Sequence, residues 1–208
     1  MQIILASGSP RRKELLSSSG VEYTVITSDT DESTDKLSPK ETVQELSGRK
    51  AKAVQQMLAE QSLKDSDHAQ QVDKIIIGAD TIVSCDGQIL GKPENREHAK
   101  KMLHMLSGKT HQVYTGVTLL KINAQGMVTD RVCFAEGTDV SVRKLTEKEI
   151  SEYLLTGECD DKAGSYAIQG IFGKYIEKIE GDYNNVVGLP LDRVLQELRK
   201  LGFNTDTK

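Results

Sequence analysis

Apolar and polar positions along this chain follow two alternating rhythms, one of strands and one of helices. Residues 2–6 form a short apolar run, and Pro10 then opens a helical segment over residues 10–18. Proline suits a first helical turn, where its missing N–H costs nothing. Residues 21–27 read as a second strand and 28–40, acidic and polar, as a loop. From Pro39 the apolar positions Val43, Leu46, Ala51, Ala53, Val54 and Leu58 run at roughly helical spacing, while residues 61–71 lose the period and read as an exposed connection. The continuous apolar run at 74–79 predicts a strand covered on both faces. Residues 80–86 and 88–90 read as a hairpin about Asp86-Gly87, a strong turn dipeptide.

The second half repeats the alternation. A helix over 97–106 ends before Gly108, and residues 111–122 and 127–142 form an alternating pair joined at 123–126. Thr146 and Glu149 make a capping box for a helix over 146–155, followed by a strand at 174–180 and an amphipathic helix at 191–201. This order predicts an α/β protein with a mixed sheet. No repeat or linker divides it, so residues 1–208 are read as one domain.

Composition narrows the function classes. At 208 residues the chain can bury a large core without disulfides or structural metal. Cys85, Cys133 and Cys159 are odd in number, widely spaced and form no CxxC pair. Neither a disulfide framework nor a zinc site is expected, and a cytoplasmic location is the default. The 27 basic and 31 acidic residues give −4, and tryptophan is absent, which argues against nucleic-acid binding. No apolar stretch has membrane-spanning length and the start lacks the apolar core of a signal peptide, so no membrane association is expected. With this charge balance, a polyphosphate ligand needs local arginines and lysines and a divalent cation.

The candidate chemistry begins at Ser7-Gly8-Ser9-Pro10-Arg11-Arg12, where a strand runs into a hydroxyl-rich turn and a helix start. Backbone N–H groups, hydroxyls, the positive end of the helix and two forked guanidinium groups gather there, a cradle suited to phosphate. It matches neither GxxxxGK[ST] nor GxGxxG. Asp80 and Thr81 follow the buried run at 74–79, where a carboxylate at a strand end can hold Mg²⁺ or act as a general base. Asp29, Asp31 and Glu32 cluster in the loop after the second strand, and one of them is a candidate to complete a metal site with Asp80. Lys92 stands in a rigid Gly-Lys-Pro turn and Lys50 on the long helix. In the small-residue loop over 161–170, Gln169 offers one donor and one acceptor face, able to read the amide edge of a pyrimidine. Each feature alone has a plainer reading: a capped helix, a turn aspartate, solvated charges, a satisfied glutamine. The four histidines lack HExxH spacing, and no serine has a GxSxG context.

Six segments in order, residues 6–12 (ASGSPRR), 78–81 (GADT), 91–93 (GKP), 106–111 (LSGKTH), 161–164 (DKAG) and 181–190 (GDY…VGLP), resemble the motifs of the Maf (septum-formation) family. The resemblance covers about residues 2–202 and implies a nucleoside triphosphate pyrophosphatase that uses a divalent metal, Mg²⁺ or Mn²⁺. It implies an elongated mixed β-sheet with flanking helices, two lobes around a central cleft, as in Maf and ITPase-like proteins, and a homodimer. Ser7, Arg11, Arg12 and Lys50 would bind the triphosphate, and Lys92 would add charge to the catalytic group. Asp80 and Glu32 match the family's catalytic and metal-holding acids, while Arg11, Thr81 and Gln169 match positions tied to base selection. The loop over 161–170 is similar to that of the branch acting on dTTP and UTP, although Ser165 and Ala167 stand where relatives often carry Ala and Gly. A non-catalytic nucleotide sensor acting in cell division is the reading from another class.

Overall fold

A computed structural model describes residues 1–35, 38–64 and 72–204. Strands β1 (Gln2–Leu5), β2 (Tyr23–Val25), β3 (Lys74–Cys85), β4 (Gln88–Leu90), β5 (Thr110–Ile122), β6 (Val128–Val142) and β7 (Ile176–Glu180) form one seven-stranded sheet. Its order is β2-β1-β3-β5-β6-β7, with β4 paired to β3. β1 pairs in parallel with β2 and β3, whereas β5 and β6 are antiparallel to their neighbours, so the sheet is mixed. The helices are α1 (Pro10–Ser18), α2 (Pro39–Lys64), α3 (Arg96–Leu106), α4 (Glu147–Leu155), α5 (Tyr183–Val187) and α6 (Leu191–Lys200).

Three hydrophobic clusters hold these layers. Ile3, Leu5, Ile75, Ile77, Val117 and Leu119 meet Leu16, Val194 and Leu198 on one face of the sheet. On the other, Ile4, Ile76 and Leu120 meet Ala51 and Val54 of α2. Farther along the long strands, Val83, Val113 and Val140 pack with α3, α4 and the aromatic group Tyr153, Tyr166, Phe172 and Tyr175. The capping box of α4 forms as the sequence predicts, with Thr146 accepting from the Glu149 N–H at 3.3 Å and Glu149 from the Thr146 N–H at 2.9 Å.

The structure corrects several expectations. The segment read as one strand at 74–79 and a hairpin arm at 80–86 is a single twelve-residue strand. Asp80 therefore stands in the middle of β3 and not at its end. β5 pairs with β3 from Lys74 to Ser84, and this unbroken ladder overrides the weak strand preference of aspartate. α2 continues through residues 61–64, because nothing there breaks a helix; the rest of the connection expected at 61–71 lies outside the described residues, apart from the portion in α2. β2 is shorter than expected, and the start of the strand read at 174–180 is instead a 3₁₀ turn, Ile171–Tyr175. α5 was not legible, since five residues hold too little periodicity.

α2 lies unusually close on the sheet. A Cβ placed on Gly78 would fall 2.3 Å from the Ser47 carbonyl oxygen, and one on Gly116 would fall 2.2 Å from that of Val43. Helix backbone thus rests directly on strand backbone at two points. That contact carries Lys50, two residues past Gly48, toward the edge of β3.

Candidate active site

One edge of β3 is interrupted, and the interruption makes the site. β5 covers the opposite edge throughout, while β1 covers Lys74–Ile77 and β4 covers only Val83–Cys85. The last rung beside β1 is the Ala6 N–H donating to the Ile77 carbonyl at 2.8 Å. The chain then turns away through Ser7-Gly8-Ser9 into α1. Neither β1 nor β4 pairs residues 78–82 on that edge, and Asp80, Thr81 and Ile82 there line a cleft of about 850 Å³. Ser7, Arg11, Arg12, Glu32, Lys50, Asp80, Thr81 and Lys92 all line it. Ligands in α/β sheets collect where strands end; here the strand that ends is β1.

Successive residues of β3 point to opposite faces, so Asp80 and Thr81 serve two sides of the cleft. On the α2 side, Lys50 Nζ donates to Asp80 Oδ1 at 2.6 Å and to Glu32 Oε1 at 2.9 Å. Lys92 Nζ lies 3.9 Å from Glu32 Oε2 and is largely exposed. The Lys50 hydrogen bond holds the Glu32 carboxyl below the usual carboxylate range, against the opposing effect of burial. Of the three loop acids only Glu32 reaches this group. Asp31 bonds the N–H and hydroxyl of Ser33, its own turn.

On the α5 side, Arg12 is committed to the fold. Its Nε donates to the Gly188 carbonyl at 2.8 Å, Nη1 to Ser7 Oγ at 3.1 Å and Nη2 to Thr81 Oγ1 at 2.9 Å. Burial pushes this guanidinium down from its usual pKa, and Asp80 offsets part of the effect. Arg11 behaves differently: among the described residues it makes no side-chain hydrogen bond or ion pair, and its Nε is buried without a partner. The cradle is also less open than its sequence predicts, since the Ser9 N–H is taken up by Ser7 Oγ at 3.3 Å.

Sequence reasoning grouped Arg11 with Thr81; the structure bonds Arg12 to Thr81. Gln169 stands apart from the other predicted residues. It is exposed and does not line the cleft, although Ala167 and Ile168 just before it do. The same loop is pinned at Gly164, whose N–H donates to the Gly91 carbonyl at 3.0 Å. Gly164 has φ of 66° and a Cβ there would fall 2.8 Å from Val83, so only glycine fits.

Tyr166, which also lines the cleft, was missed by sequence reasoning, as was its partner. Its hydroxyl lies 2.7 Å from Nε2 of the fully buried His111. No local sequence signal pairs residues 55 apart; the fold brings the loop carrying Tyr166 against β5. Burial lowers the His111 pKa from 6.5 to about 4, although Asp139 pulls it upward. The unfolded chain therefore takes up a proton that the folded protein refuses. The neutral ring's contribution is complete above pH 6.5 and is lost as pH falls toward 4, on the order of 3 kcal/mol in all. Urea midpoints at pH 7 and pH 4.5 should show a smaller acid loss in His111→Gln than in the native protein. Equal losses would refute the assignment.

The two carboxylates suit a hard divalent cation. Asp80 and Glu32 present oxygens to one point, now spanned by the Lys50 ammonium. Mg²⁺ characteristically binds one or two carboxylates and completes its shell with water and substrate phosphate.

Comparison with known proteins places the chain. The family model described as Maf-like protein matches residues 2–201. The chain belongs to the Maf-like protein family. Curated relatives of this Maf-like chain include a dTTP/UTP pyrophosphatase of Agathobacter rectalis, 52% identical over 97% of this chain and 98% of the relative. Proteins of the same name from Lachnoclostridium phytofermentans and Bacillus anthracis are 47% and 46% identical, covering 98% and 99% of this chain and 96% and 97% of their own lengths. No helix among the described residues of this Maf-like protein is long and apolar enough to cross a membrane.

Proposed function

We propose that this chain hydrolyses dTTP and UTP to the monophosphate and pyrophosphate. The observation that carries the reading is a pairing within one cleft: the nearly buried Asp80 carboxylate and the uncommitted Arg11 guanidinium. An ordinary binding pocket has little use for Asp80 and Glu32 beside a polyphosphate, because both repel it. A hydrolase uses them. The names of the relatives support the same reading and its pyrimidine branch.

In this reading a water attacks the α-phosphorus, Asp80 accepts its proton, and the bond to the α–β bridging oxygen breaks. Pyrophosphate leaves with the electron pair. Arg11, Lys50 and Lys92 stabilise the charge that gathers on the departing group, and the Ser7 hydroxyl donates to a phosphate oxygen. Asp80 and Glu32 would hold a divalent cation, Mg²⁺ or Mn²⁺, which supplies further charge neutralisation when bound. Base reading falls to Thr81, on the opposite face of β3, to Arg12, which bonds it, and to the loop over 161–170, which lines the cleft at Ala167 and Ile168.

The test is pyrophosphate release from dTTP, UTP, CTP, GTP, ATP and 7-methyl-GTP with Mg²⁺ or Mn²⁺. Release from dTTP and UTP, stopped by a chelator, is expected. Tight binding with no release from any nucleotide would favour a sensor instead. Arg11→Ala is expected to lower kcat/KM by about 10²–10³-fold without moving the thermal midpoint. Arg12→Ala should lower both, since Arg12 also ties α1 to Gly188 and Thr81. Equal loss of stability in the two variants would show that Arg11 is not free for substrate.

A further inference from the structure

The two hydroxyls flanking the Arg12 guanidinium have opposite polarity. Ser7 Oγ accepts from the Ser9 N–H at 3.3 Å and from Arg12 Nη1 at 3.1 Å, so both lone pairs are occupied and its proton is free. Thr81 Oγ1 accepts from Arg12 Nη2 at 2.9 Å and lies 2.9 Å from Thr115 Oγ1. The next bond decides which threonine donates. Thr115 Oγ1 is 2.9 Å from the backbone carbonyl oxygen of Asn185, which can only accept, so the single Thr115 proton goes there. Thr81 must then donate to Thr115. Its oxygen keeps one lone pair and no proton, on a residue that lines the cleft.

The far end of this relay is firmly held. The buried Asn185 donates through Nδ2 to the Val113 carbonyl and to Thr138 Oγ1, both at 2.9 Å. The Thr138 hydroxyl in turn donates to the Asp182 carbonyl at 2.9 Å. Backbone carbonyls end both branches, so the direction of the protons cannot reverse.

A bare lone pair repels a phosphate oxygen, whereas a free hydroxyl proton attracts one. The Ser7 side therefore suits the triphosphate, and Thr81 suits a donor on the ligand. Uracil and thymine nucleotides carry a single base N–H, N3–H, flanked by two carbonyls. Arg12 spends three of its five N–H groups on the protein, which leaves two to meet such a carbonyl. Cytosine presents an unprotonated N3 at the same place.

We infer that Thr115, which is fully buried and does not line the cleft, is a positioning residue for base selection. By taking the Thr81 proton it makes Thr81 an obligate acceptor for N3–H and turns cytosine away. The inference rests on the pyrophosphatase reading and deepens it.

Pyrophosphate release from UTP, CTP and N3-methyl-UTP by the native protein, Thr115→Val and Thr115→Ser tests it. The native protein should prefer UTP strongly over both other nucleotides. In Thr115→Val, where Thr81 is free to donate, the UTP-to-CTP ratio of kcat/KM should fall by about tenfold or more, the scale of one mismatched hydrogen bond. Thr115→Ser, which keeps the hydroxyl, should retain the native ratio. A role in folding alone would slow every substrate alike and leave the ratio fixed, which overturns the inference. Native turnover of N3-methyl-UTP at the UTP rate overturns it too, and that arm decides if Thr115→Val does not fold. Absence of release from every nucleotide would instead overturn the pyrophosphatase reading itself.

Discussion

Asp80→Asn is expected to leave the protein folded and to reduce pyrophosphate release by about 10²–10⁴-fold, the usual contribution of a positioned general base. The amide has the shape of the carboxylate and keeps an oxygen to accept from Lys50 Nζ, now 2.6 Å away. It cannot accept a proton from water at neutral pH, and it carries no charge for a divalent cation. The Lys50 ammonium keeps Glu32 as a partner at 2.9 Å, so it is not left buried and unpaired. Circular dichroism and a thermal melt should therefore match the native protein closely while turnover collapses. Full activity in the variant would remove Asp80 from the mechanism; unfolding would mean that its pairing with Lys50 is structural first.

Gly78→Ala should cost about 1–3 kcal/mol or more of stability, as overpacking does, and activity with it. The added methyl would fall 2.3 Å from the Ser47 carbonyl oxygen and 2.9 Å from the Ala51 backbone nitrogen. Both are helix backbone and cannot swing aside, so α2 must lift as a body and carry Lys50 away from Asp80. Gly48→Ala, in α2 itself, is the matched control. Its Cβ would meet nothing closer than 3.6 Å, and alanine favours a helix interior by up to ~1 kcal/mol. Denaturant midpoints should move in opposite directions. A neutral Gly78→Ala would show that the helix is not seated on the sheet as described.

Much of the fold was readable because periodicity reports burial. The helix boundary at Pro10, the capping box at Thr146 and Glu149 and the long alternating strands β5 and β6 appear where the pattern puts them. Continuity of β3 through Asp80 was not readable, since it depends on a ladder to β5, more than thirty residues later in sequence. The candidate site was legible as residue types and motif order, and seven of the side chains named that way line the same cleft as Asp80. Their division of labour was not. Nothing in adjacent arginines shows that Arg12 is tied to Gly188 and Thr81 while Arg11 stays free. Gln169 shows the opposite failure: a polar residue in a suggestive motif that the structure leaves exposed outside the cleft lining. Thr115 lies in no motif, and the Thr115–Asn185 and His111–Tyr166 contacts join residues 70 and 55 apart in sequence, a separation that no local spacing reports.

Asp80 and Thr81 are neighbours in the chain, yet separate cores support them. Ile76 shares the face of Asp80 and packs under α2, whereas Ile77 and Ala79 share the face of Thr81 and pack with α6. Mutational drift beneath one face need not disturb the other. With the roles proposed for Asp80 and Thr81, a lineage of such proteins can retune which base it accepts while its hydrolytic machinery stays constant, or trade catalytic speed for stability without losing discrimination. A one-residue deletion within β3 would break this independence. It would turn the carboxylate and the hydroxyl toward each other's faces, so length along this strand is held more tightly than identity at most positions around it.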